Sequence, residues 1–190
     1  MSCIPTAPAA RHRVISSRFG ELVRDTRDWR APTPVADWRA RDVLGHLIDW
    51  LPGLLASGSA VHLEDGPAVE QDPVGAWTAR ARAVQALLED PVVATRPFAD
   101  PHIGELTLAQ ALDRFWTPDV FLHSWDLARA TGQESTLDPD LCRELLAGMQ
   151  PVEEMMRSSG QYGPPVPVDE DASPQDQLLG FIGRNPHWHV

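Results

Sequence analysis

Three side chains late in this sequence, Asp119, His123 and Asp126, have the types and spacing to do chemistry together. On a helix turning about 100° per residue they project within an arc of about 60°, and Leu108, Leu112, Phe115 and Leu122 surround that arc. The trio is thereby expected to face an apolar interior. Carboxylates buried without partners are costly, and a bound cation would compensate them directly. Asp119 and His123 stand at i, i+4, the spacing by which one helix face offers two ligands to one metal. A third ligand must come from another helix, and His46 falls at the edge of an earlier apolar stripe, beside Val43 and Trp50. Two imidazole nitrogens, one carboxylate oxygen and an open position match catalytic rather than structural zinc, and the set also accepts nickel. Asp126, one turn beyond His123, is a candidate to ligate instead or to orient His123 from behind.

The same residues have plainer uses. An acid and a histidine at i, i+4 also make a buried ion pair or hydrogen bond, and a single histidine at a stripe edge is commonly a hydrogen-bonded boundary residue. Asp126 could equally bond to a loop or to an arginine. Ser124 points to another side of the helix from His123, so no serine nucleophile is suggested. Cys142 reads as buried packing, Trp116 and Trp125 as core, His12 as an exposed residue between two arginines, and His187 and His189 as part of a solvated tail. No Gly-rich phosphate loop is present in the sequence.

The elements that must position these residues follow from apolar spacing. Helical patterns run over His12 to Trp29, Arg39 to Ser57 with Pro52 as a kink site, and Pro73 to Leu88. Asp90 to Glu105 is proline-rich and reads as a long connection with a short extended piece. A fourth helix is expected over Leu106 to Ala130, kinked at Pro118 and stopped at Gly132. A fifth follows from Pro139 to Met156 behind Asp138, a good N-cap. Ser158 to Ser173 is a loop, and Pro174 to Ile182 a last short helix ending at Gly183. No strand-type alternation or internal repeat is found. The expected fold is all-α, an antiparallel up-and-down four-helix bundle with an extra short C-terminal helix, in one domain over residues 1–190 with residues 1–10 flexible.

Composition limits the partners. A net charge of −11 with no basic run argues against nucleic acid and against an anionic membrane surface. All sixteen basic residues are Arg, which reads as the mark of a GC-rich genome. Cys3 and Cys142 make no disulfide framework and fit a reducing cytoplasm. Met1 to Ala10 lacks the apolar stretch of a signal peptide, and no apolar run approaches the ~20 residues that span a bilayer.

The segments Ala31-Pro-Thr-Pro-Val-Ala-Asp-Trp-Arg-Ala-Arg-Asp-Val-Leu-Gly-His46-Leu and Phe121-Leu-His123-Ser-Trp-Asp126-Leu-Ala-Arg-Ala-Thr-Gly132 resemble the metal-binding domain of mycothiol-dependent maleylpyruvate isomerase, within the DinB/YfiT-like superfamily. The closing stretch Gln177-Leu-Leu-Gly-Phe-Ile-Gly-Arg-Asn-Pro-His-Trp188 resembles the end of an actinobacterial, stand-alone branch of that family. The resemblance implies an up-and-down bundle holding a divalent ion, often zinc or nickel, by a histidine of helix two and an acid-x-x-x-histidine pair of a later helix. His46, Asp119 and His123 match those positions, with Asp119 one methylene shorter than the isomerase's Glu. It further implies a low-molecular-weight thiol such as mycothiol as cosubstrate, a small electrophile, and transfer, conjugation or isomerisation chemistry. A homodimer is plausible on the same analogy. The rival readings are a hydrolase using metal-bound water and a non-catalytic metal-binding or regulatory protein.

Overall fold

The computed structural model describes residues 3–100, 104–158, 160 and 162–189. They are mostly helical, in agreement with the all-α expectation, with one small two-stranded sheet among the described residues. Helix α1 spans Pro8–Asp25, α2 Ala40–Gly58 and α3 Pro73–Glu89. After a helical turn, α4 (Pro91–Ala94), strands β1 (Pro97–Asp100) and β2 (Gly104–Thr107) pair antiparallel. Then come α5 (Leu108–Ala111), a π turn over Leu112–Trp116, α6 (Thr117–Thr131), α7 (Pro139–Met149), a 3-10 turn (Gln150–Val152), α8 (Glu153–Ser158) and α9 (Pro174–Phe181). No helix is long and apolar enough to cross a membrane among the described residues.

Prolines account for much of this punctuation. Pro8, Pro73, Pro139 and Pro174 sit in first turns, where the missing N–H leaves nothing unsatisfied. Helix α1 starts earlier than its apolar spacing suggests because Pro8, Ala9 and Ala10 form its first turn, and it stops at Asp25 rather than near Trp29. The expected fifth helix is broken: Pro151 falls inside it, and the chain tightens to 3-10 geometry before α8 resumes. The connection after Asp90 is more ordered than its proline content implies. Asp90 accepts from the N–H groups of Val92 and Val93 and so starts α4, while the hairpin strands are too short to show alternation.

The largest departure concerns the fourth helix. Instead of a kink at Pro118, the helix widens one turn earlier, where the Thr117 N–H bonds to the Leu112 carbonyl five residues back. A proline ring collides with the carbonyl four residues before it, here that of Arg114, and a π turn moves that carbonyl aside. The widening rotates the upstream segment, so Phe115 is only half-buried, with the Arg114 guanidinium 5.5 Å from its ring centre.

The four long helices pack in pairs, α1 against α3 and α6, and α2 against α3 and α6. Phe19, Leu22, Leu44, Leu47, Leu51, Leu55, Leu112, Trp116 and Leu127 are fully buried between them. The hairpin closes one side through Phe98, whose ring lies where a Cβ on Gly58 would come within 2.6 Å. Helix α9 packs on α7, and the left-handed Gly183 turns the chain back across α6. His12, expected on an exposed face, is fully buried, with Nδ1 2.7 Å from Gln85 Oε1. Burial lowers its pKa.

Candidate metal centre

Within α6 the helical phase is regular, so Asp119, His123 and Asp126 share a face as their spacing requires. Asp119 lies in the first turn, where the helix dipole favours a carboxylate. The face descends from a half-open rim to the interior: side-chain exposure falls from 20% at Asp119 to 7% at His123 and 1% at Asp126. Helix α2 lies alongside and presents His46, with Trp50 one turn further on.

The Asp119 carboxylate sits between two imidazoles. Its Oδ2 is 3.1 Å from His46 Nε2 and its Oδ1 3.5 Å from His123 Nε2. The Trp50 indole N–H donates to Oδ2 at 2.9 Å and fixes the carboxylate's orientation. One ligand atom from each of His46, Asp119 and His123 lies within 4.8 Å of the others, the single grouping among the described residues that could hold a metal ion. Zinc ligands at 2.0–2.1 Å and tetrahedral angles lie about 3.3 Å apart, so the observed separations suit a shared ion.

Behind His123, the Nδ1 is 2.8 Å from Asp126 Oδ2. An ionised carboxylate only accepts, so a hydrogen resides on Nδ1, and an ion held beside Asp119 would take the Nε2 lone pair of the neutral ring. Asp126 is ionised despite its burial. Burial would raise its pKa, but the hydrogen bond from His123 and the Arg184 guanidinium outweigh it and leave it lowered. Arg184 Nε donates to Oδ1 at 3.0 Å and Nη2 to Oδ2 at 3.1 Å. His123 balances the other way: burial pushes its pKa down, the charges of Asp119 and Asp126 push it up, and the outcome is raised.

Aromatic side chains wall the site. The chain between α1 and α2 makes a tight loop, with Pro32 bridged to Arg39 and Asp37 in the left-handed region at φ 65°. Aspartate is among the few residues besides glycine that adopt this conformation readily. The loop presents Trp38, which stacks on His123 with ring centres 5.7 Å apart and leans on His46 at 5.1 Å. Tyr162, in the loop before α9, is packed close enough to respond to Asp119. Burial first, then the Asp119 charge, push its phenol up to about 12, with Arg184 opposing.

All three expected ligands thus come together, and Asp126 takes the orienting position on the far side of the His123 ring. Ser124 donates to the Val120 carbonyl and is no nucleophile. Cys142 is buried, its thiol pushed up to about 12, chiefly by burial. His187 and His189 lie apart from the cluster in the C-terminal tail. Sequence reasoning missed Trp38, Trp50, Tyr162 and Arg184 as parts of the site. For Arg184 a signal existed, since a buried Asp126 needs a cationic partner.

Comparison with known proteins places the chain in a family. Two uncharacterized proteins of Mycobacterium tuberculosis, from strains CDC 1551 and H37Rv, are each 30% identical to the chain over 181 residues, covering 93% of it and 97% of their own length. The chain belongs to their family. No family model matches it, and no solved structure matches it significantly.

Proposed function

We propose that His46, Asp119 and His123 hold one divalent ion, zinc or nickel, in a cytoplasmic enzyme that uses a low-molecular-weight thiol such as mycothiol to transfer, conjugate or isomerise a small electrophile. The observation that carries the reading is the convergence of two imidazole nitrogens and a carboxylate from two helices within 4.8 Å. The bonds behind His123 support it, since a metal-binding histidine commonly donates its other ring N–H to a carboxylate. Bound there, a divalent ion would supply the Lewis acidity that lowers the pKa of a thiol. The likeness to the metal-binding domain of mycothiol-dependent maleylpyruvate isomerase supports the thiol. The pairwise packing of four long helices supports an antiparallel up-and-down bundle of the DinB/YfiT type, and the same analogy suggests a homodimer.

The chain's own residues have separable tasks in this reading. Trp50 holds the carboxylate of Asp119 in place, and Asp126 keeps the hydrogen of His123 on Nδ1. Trp38 packs against both imidazoles and covers one side of each ring. Tyr162 stays protonated at neutral pH and can donate a hydrogen bond to an anionic group.

Metal analysis of the purified protein, followed by titration with mycothiol under thiolate absorbance, tests the proposal. One ion per chain and a metal-dependent thiolate signal are expected. A protein that releases no metal and takes none up would reduce the cluster to a hydrogen-bond network. Ester or amide turnover without thiol would redirect it to hydrolysis.

A further inference from the structure

His46 has a second neighbourhood. Besides facing Asp119 it lines a cleft of about 680 Å³ that runs between α2, the 65–70 segment and the first turns of α3. That volume suits a small organic molecule. In the wall of the cleft stands Arg80 of α3, only 5% exposed. Its Nε and Nη1 have no hydrogen-bond partner, and no carboxylate pairs with it among the described residues. A buried guanidinium in this state is unfavourable, because donors and charge have both left water without replacement.

We propose that Arg80 anchors an oxyanion, a carboxylate or phosphate, on the small molecule whose other end reaches the metal centre at His46. The inference rests on the metal-centre reading for what happens to that molecule, though not for its capture. The carboxylates that share the cleft are already placed elsewhere. Asp42 accepts from the Arg39 N–H at 2.7 Å as part of the α2 cap, while Asp49, Asp65 and Glu70 are exposed and solvated. Asp65 and Asp49 act on Arg80 only as distant counter-charges: burial lowers its pKa and they oppose that shift. The unmet need lies in the wall, and a ligand's oxyanion is the group that meets it. Guanidinium groups recognise carboxylate and phosphate alike.

The full chain, stripped of metal with a chelator, is titrated calorimetrically with succinate and separately with inorganic phosphate. Saturable binding of one of them is expected and identifies the oxyanion. R80Q should weaken it by about tenfold or more, R80K by less, and D65N should tighten it by removing a competing charge. Equal affinity in wild type and R80Q, or no saturable binding of either anion, would overturn the proposal and leave Arg80 bridged by water to the acids. If R80Q does not fold, the exposed D65N decides: tighter binding supports the anchor, unchanged binding overturns it. Zinc titration of wild type and R80Q is read separately. Loss of zinc binding in the wild type with anion binding intact would defeat the metal reading alone.

Discussion

Arg184 and Asp126, 58 residues apart in sequence, form a paired contact in which Nε and Nη2 of one meet Oδ1 and Oδ2 of the other at 3.0 and 3.1 Å. The pair ties the chain beyond α9 to the floor of the candidate metal centre, and through Asp126 it holds His123. A remote residue therefore sets the orientation of a candidate ligand.

Arg184→Gln should destabilise the fold by about 3 kcal/mol, since it strands a carboxylate that is only 1% exposed. Urea unfolding at neutral pH measures this, and an unchanged midpoint would show that Asp126 is compensated by His123 alone. The loss should shrink in R184Q/D126N, where no buried charge is left unpaired.

His123→Ala should abolish metal retention, whereas Asp126→Asn should weaken it by only about 10–100-fold. The first removes a ligand nitrogen, and the second leaves the nitrogen but loosens the ring. Metal content after dialysis against a weak chelator separates them. Equal content in wild type and His123→Ala would make the trio a hydrogen-bond network.

Stability of the metal-free protein should fall as pH rises above the ordinary histidine range. His123 has a folded pKa raised above 6.5, so its contribution is fully present below 6.5 and is lost as pH climbs through the folded value. Asp126, lowered from 3.8, contributes in the opposite sense: its share is present above about 4 and lost as pH falls through its folded value. With metal present the alkaline trend should reverse, because protons compete with the ion for His123. Unfolding free energies from pH 5.5 to 8.5, with and without zinc, would show parallel curves if His123 were not a ligand.

Gly58→Ala should destabilise by about 1–3 kcal/mol, although alanine is the better helix former. The added Cβ would come 2.6 Å from the Phe98 ring, which is fully buried. Thermal unfolding of G58A, F98L and the double variant measures it. If the clash is the cause, the double variant should be less impaired than the sum of the singles.

The three candidate ligands were legible because each lies where helical phase is regular. Asp119 and His123 fall within α6, and His46 lies six residues into α2, before Pro52. Phase was lost where hydrogen bonding changed: the π turn before Thr117 carries no periodic signature, and Pro118 alone suggests a kink as readily. His12 was misread because flanking arginines look solvated, while Arg11 is itself buried and pairs with Glu144 at 2.9 Å. Trp38 depends on the backbone of Asp37, and Arg184 on a return of the chain from α9. Neither is written in local spacing. Four-residue strands are likewise too short to declare themselves.

The π turn also has a consequence for how this site can change. A π turn fits one extra residue into about the rotation of an α turn, so deleting one residue between Leu112 and Trp116 would return the turn to α geometry while leaving α5 and the hairpin nearly in phase with Asp119. The ligand face would keep its composition and its distant surroundings, and only the side chains of the turn itself would be re-aimed. A single gap here would thus change the stretch of wall beside the same three side chains without disturbing the rest of the bundle, a local route to new shape that substitutions alone do not open.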